Sequence, residues 1–146
     1  MIRIAVAALA VAGLAACSTG ISSGGSMPAD HLTVNFGYRS TYEAAAAQAE
    51  RCLRGTGAYT VHGTVDDASR TAVMRVVAPF TGDDVARVNI TGQGDRQSQV
   101  DILMWGRGIW NEDAVHAMRA AVIYQVPSCT SYMPKDPPPP EQKSRK

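Results

Sequence analysis

Two hydrophobic periods divide the middle of the chain, and each change of period marks an element. Tyr42, Ala45, Ala46, Ala49, Cys52 and Leu53 recur at helical spacing and make one apolar stripe. Ser40 and Glu43 have the S/T-x-x-E spacing of a capping box, in which each side chain satisfies the other's free backbone N–H. Gly55 and Gly57 supply the stop. The alanines on the stripe predict close approach to whatever lies beneath, because small side chains leave little standoff.

The period then falls to two. Tyr59, Val61 and Val65 face one way, with Thr60, His62 and Thr64 opposite. After an Asp66-Asp67-Ala68-Ser69 turn, Ala72, Met74 and Val76 alternate with Thr71, Val73, Arg75 and Val77. Pro79 and Thr81-Gly82-Asp83 punctuate again, and Val88 and Ile90 alternate with Arg87, Asn89 and Thr91. Gly92-Gln93-Gly94-Asp95 turns the chain into Val100, Ile102 and Met104 against Gln99, Asp101 and Leu103. Short turns between alternating runs predict an antiparallel meander with one wet face. A second helix begins at Asn111, a good N-cap, with Glu112 and Asp113 favourably placed in its first turn. Ala114, Val115, Met118, Ala121 and Val122 form its buried stripe, and Pro127 lies beyond its end. The expected fold is α+β: a two-layer sandwich with two helices packed on one face of a four-stranded antiparallel meander.

The ends of the chain have a different composition. Arg3 is followed by an uncharged run, Ile4 to Leu14, that is too short to span a bilayer and has the layout of an export signal. It closes on Leu14-Ala15-Ala16-Cys17, which resembles the lipobox of bacterial lipoproteins. The wider plan resembles that of small proteobacterial outer-membrane lipoproteins. The resemblance implies a signal peptide over 1–16 and a lipid anchor on Cys17. Two or more acyl chains hold a protein stably, at about 0.8 kcal/mol per buried methylene. Ser18, rather than Asp, resembles lipoproteins sorted to the outer membrane, facing the periplasm. Residues 17–30 then read as a Ser/Gly-rich tether, 31–132 as the domain, and 133–146, with Pro137 to Pro140, as a Pro-rich disordered tail. Arg145-Lys146 resembles the end of the abundant lipoprotein whose terminal lysine is joined to peptidoglycan. The match covers two residues, and a solvated basic tail is the plainer reading.

Lipidation changes two counts. The full chain has 14 Lys+Arg against 13 Asp+Glu, so cleavage before Cys17 removes Arg3 and leaves no net charge. Such a chain has no electrostatic case for binding nucleic acid. Three cysteines become two, and in an oxidising periplasm Cys52 and Cys129 read as one disulfide. The chain-entropy model gives about 4–5 kcal/mol for closing so long a loop. That bond raises a geometric tension: with four up-down strands between them, the helices run antiparallel and their C-terminal ends lie apart. Three resolutions are open: helices crossing the sheet diagonally, an early end to helix two with Val122–Val126 returning extended, or a different strand count.

Candidate chemistry is sparse. His31, His62 and His116 have no paired-ligand spacing, and no metal or cofactor is expected. Asp66-Asp67 and Asp83-Asp84 fall at predicted hairpin tips, where Asp bonds the local backbone. There is no G-x-S-x-G, and Gly92-Gln93-Gly94 is too short for a phosphate loop. An enzyme is therefore not expected. A surface is the better candidate: Val73, Val77, Leu103 and Trp105 interrupt the polar face, and Trp105, Ile109 and Trp110 surround Gly106-Arg107-Gly108. Tryptophan and arginine are enriched at binding hot spots. The competing reading has both tryptophans plugging the end of a small core. The function expected is a structural or assembly accessory of the envelope, touching an envelope protein through Leu103, Trp105, Arg107 and Trp110. The alternative is a small-ligand or cell-wall binding module.

Overall fold

Residues 20–21 and 26–129 are described by the computed structural model. The elements run β1 (Ala29–Val34), α1 (Tyr38–Cys52), β2 (Thr60–Asp66), β3 (Thr71–Val77), β4 (Asp84–Gly92), β5 (Ser98–Met104) and α2 (Glu112–Tyr124). The fold is α+β, and β2 to β5 form the expected meander. The sheet nevertheless has five strands rather than four, in the order β1-β5-β4-β3-β2, with all neighbours antiparallel. The additional strand, β1, straddles the tether–domain boundary expected at residue 30. Only Leu32 and Val34 are buried in it, too few side chains to show a strand's alternation. It is held through β5, with Ala29 opposite Leu103 and Val34 opposite Ser98. Upstream, the Ile21 N–H donates to the Asp84 carbonyl at 2.7 Å, so the Ser/Gly-rich stretch touches the sheet at Gly20 and Ile21.

α1 carries the chain from β1 at one edge to β2 at the other. It begins two residues before the expected capping box. Gly37 is the N-cap, no side chain caps it, and Ser40 lies within the helix. Glycine is required at 37 by close approach: a Cβ there would stand 2.7 Å from the Asp95 carbonyl oxygen. The buried residues are Thr41, Ala44, Ala45, Gln48 and Ala49, with Leu53 just beyond. This stripe is turned by one position, about 100°, from the apolar one, since two polar side chains occupy it. Thr41 shares a 3.0 Å hydrogen bond with Ser98 of β5. Gln48 bonds both backbone groups of Ser128. Among the described residues no buried side-chain nitrogen or oxygen lacks a partner.

α2 agrees with the sequence in detail. The Asn111 side chain accepts from the Ala114 N–H at 3.2 Å, and Ala114, Val115, Met118, Ala121 and Val122 are all buried. Ala114, Val115, Met118 and Val122 pack with Met74, Val88, Ile90, Val100, Ile102 and Met104 from the sheet. The two helices are antiparallel. At one end Ser40 Oγ donates to Gln125 Oε1; at the other, Trp110 Nε1 donates to the Leu53 carbonyl. The tension over the disulfide is resolved by a return. Gln125 adopts a left-handed conformation (φ 57°) that ends α2, and the chain doubles back along α1. Cys129 is thereby bonded to Cys52, with 5.3 Å between the Cα atoms. The helix does not end early, since Val122, Ile123 and Tyr124 belong to α2, and the segment that returns is 126–129.

Candidate interaction surface

β5 brings Leu103 to the open face of the sheet and ends just before Trp105, whose N–H donates to the Val85 carbonyl at 2.9 Å. The following loop closes on itself through Gly106 N–H to the Trp110 carbonyl (2.7 Å) and Trp110 N–H to the Arg107 carbonyl (3.1 Å). Gly106 and Gly108 make this turn possible at φ 87° and 59°, where a side chain would be strained. The loop drives Trp110 inward. That indole is 6% exposed, its Nε1 donates to the Leu53 carbonyl at 3.0 Å, and its ring lies 4.3 Å from the Tyr59 ring. Trp110 therefore belongs to the core and leaves the interaction surface. Trp105 is half-buried, 6.1 Å from Trp110, and carries the Arg107 guanidinium 5.6 Å above its ring, within cation–π range. Arg107 and Ile109 are exposed. What remains outward is Leu103, Trp105, Arg107 and Ile109.

The two readings of the tryptophans are thus divided between them. The Tyr59 and Trp110 rings pack against each other at an interplanar angle of 50°.

Beside this loop the open sheet face carries a clamp. Asp84 was expected at a hairpin tip; instead it opens β4, opposite Val77, at the register shift after Val76. Its carboxylate is only 5% exposed and accepts from Arg75 Nη1 at 3.3 Å and from Arg87 Nε at 2.9 Å and Nη2. The two guanidinium groups are held side by side, both facing water. A three-residue spacing on a regular strand would put Asp84 and Arg87 on opposite faces, and the register shift is what brings them together, so the spacing gave no signal.

The other acidic pair keeps its turn chemistry. Asp66 accepts from the backbone N–H of Ala68 (2.9 Å) and Ser69 (3.3 Å), and hydrogen bonds from Ser69 and Ala68 hold its carboxyl below the usual range. Asp67 takes the Tyr38 hydroxyl at 2.5 Å and pairs with Arg39, both of which depress its pKa.

His31 is more engaged than a solvated histidine. Its Nδ1 meets Asp101, and its Nε2 accepts from Gln99 Nε2 at 2.7 Å. Gln99 in turn accepts from Gln93 at 3.3 Å. The imidazole is thus tied into a surface chain of side chains running from Asp101 through Gln99 to Gln93.

A cleft of about 550 Å³ lies between residues 26–30 and α2, lined by Asp30, Glu112, His116 and Arg119. Arg119 Nη1 donates to Asp30 at 2.6 Å. Partial burial raises the Asp30 pKa, but the hydrogen bonds from Arg119 and the His31 N–H and the charges of Arg119 and His116 outweigh it, and the net shift is downward. Among the described residues no group of three or more His, Cys, Asp or Glu is placed to hold a metal ion, and no helix is long and apolar enough to cross a membrane.

No protein-family model matches this chain, and no curated protein matches it either. Cys17 and Lys146 lie outside the described residues.

Proposed function

We propose that this chain is a lipid-anchored protein of the outer membrane, facing the periplasm, that acts as a structural or assembly accessory of the envelope. The observation that carries the reading is the Cys52–Cys129 bond. A disulfide of this kind belongs to an oxidising compartment, and it uses two of the three cysteines, leaving Cys17 of the lipobox for the lipid. Contact with an envelope protein is assigned to Leu103, Trp105, Arg107 and Ile109 beside the Arg75–Asp84–Arg87 clamp. Large apolar groups and guanidinium groups there share one face without catalytic geometry.

Growth on a palmitate analogue tests the anchor: label should enter the wild type and be absent from Cys17→Ala. Labelling of the variant, or none in the wild type, ends the lipoprotein reading. For the contact, a photocrosslinker at Trp105 should capture a partner in cells, and one at His62, on another strand of the same face, should not capture that partner.

A second reading, a small-ligand or cell-wall binding module, is favoured by the cleft at Asp30, Glu112, His116 and Arg119, which is open and carries both charges. Muropeptides should then perturb the NMR signals of His116 and Arg119; no perturbation at millimolar ligand removes it.

A further inference from the structure

The two edges of the sheet are built differently. β1 follows Pro28, and on its helix-facing side it carries the Asp30 carboxylate, paired with Arg119 of α2. A charge pointing inward on an edge strand is a common device against strand pairing. β2 has none of these devices. It runs seven residues in unbroken register with β3, contains no Lys, Arg or Pro, and is exposed at every position but the half-buried Val61. Its helix-facing residues are Val61, Gly63 and Val65, all uncharged, and Val65 is 37% exposed. Among the described residues no strand pairs with its outer side. An edge of this length, uncharged at its helix-facing positions and charged only at its last residue, Asp66, is a template for another strand.

We infer that the occupant is β2 of a second copy of this chain, paired antiparallel about a twofold axis at Gly63. The sequence is self-complementary in that register. Val61 meets Val65 of the second copy, His62 meets Thr64, and Thr60 meets Asp66, so all seven residues pair and no like charges stand opposite. Each Tyr42 ring lies directly on its own Gly63, so the two rings meet at the axis and extend the contact on the helix side. The ends of the strand complement one another as well. Arg54, whose Nε donates to the Tyr59 carbonyl at 3.2 Å, marks the start of β2, while Asp66 and Asp67 mark its end. Antiparallel pairing brings each Arg54 to the acidic end of the other copy. The product is a continuous ten-stranded sheet with an isologous interface and both helix layers on one side. The inference is independent of the lipid anchor.

The full chain is tested in cells with His62→Cys and Thr64→Cys together, followed by a non-reducing gel of the envelope. A band at twice the chain's mass, absent from the wild type and lost on reduction, is expected. Adding Val65→Lys, an inward charge on the edge, should abolish that band. In sedimentation of the full chain in detergent, Val65→Lys alone should weaken the dimer by about tenfold or more. Mass analysis showing the Cys52–Cys129 bond intact confirms that each variant is folded. A monomer band from the folded double-cysteine chain overturns the inference. So does a crosslink indifferent to Val65→Lys, or a product of some other mass. Efficient self-crosslinking by Thr64→Cys alone, without the paired His62→Cys product, would move the axis and overturn the Gly63 register.

Discussion

The side-chain amide of Gln48 pairs with both backbone groups of Ser128: its Nε2 donates to the carbonyl at 2.9 Å, and its Oε1 accepts from the N–H at 2.7 Å. The amide thus does what a residue of a neighbouring strand does in a ladder. It holds the returning segment against α1, one residue before the disulfide. Replacing Gln48 by Ala leaves the donor and acceptor of Ser128 without partners and should cost about 2–4 kcal/mol in urea unfolding. The disulfide and the amide hold the same segment, so they should couple. In a Cys52→Ala, Cys129→Ala chain, itself weakened by about 4–5 kcal/mol, Gln48→Ala should cost clearly less. Equal costs in the two backgrounds would show that the segment stays docked without the bond.

Trp110 and Trp105 are separable by mutation. Trp110→Ala removes a buried ring from the end of the core and should destabilise by about 3–5 kcal/mol. Trp110→Phe chiefly loses the bond to the Leu53 carbonyl and should cost about 1–2 kcal/mol. Trp105→Ala should leave most of the stability in place while reducing partner crosslinking. A Trp110→Ala chain with unchanged thermal unfolding would return that residue to the surface.

The Asp30–Arg119 pair makes stability fall in acid. Because the folded carboxyl titrates below its ordinary value of 3.8, its contribution is complete above that pH and is lost as pH falls through the folded value. Urea midpoints measured from about pH 5 down to about pH 2 should show the gap between wild type and Arg119→Gln narrowing. A gap that stays constant over the window would mean the pair contributes through packing alone.

Gly63 lies under the Tyr42 ring, and an added Cβ would stand 1.8 Å from the Tyr42 hydroxyl oxygen. Gly63→Ala should therefore cost about 1–3 kcal/mol in the wild-type background and much less in Tyr42→Ala. Loss of the same amount in both backgrounds would assign the effect to the strand backbone.

Legibility in the sequence followed the hydrophobic pattern and failed where polar groups replaced it. α2 was readable because all five residues of its apolar stripe are buried and Asn111 is a true cap. β3, β4 and β5 were readable because their buried residues, among them Met74, Val88 and Ile102, recur with period two, although Val73 and Leu103 interrupt the polar face. α1 was misread by one position, because Thr41 and Gln48 look solvent-facing until Ser98 and Ser128 are beside them. β1 was missed because it has only two buried side chains and begins directly after a Ser/Gly-rich run that reads as tether. In the candidate surface, the loop around Arg107 was visible, but the inward turn of Trp110 depends on the Leu53 carbonyl far away in sequence. Asp84 looked like a turn residue because nothing in the sequence shows a register shift that draws it into β4.

The edge-to-edge route of α1 has a consequence for the order of events when the chain is made. Among the described residues β1 finds its only strand partner in β5, about seventy residues later, and the end of α1 is secured by a bond spanning 77 positions. During N-to-C synthesis, β1 therefore stays unpaired until β5 has emerged, and α1 is locked last of all. The β2–β5 meander can close on itself earlier, from neighbouring segments. The first of the described strands to leave the ribosome is thus among the last to be paired, and the segment after α2 seals what β1 left open.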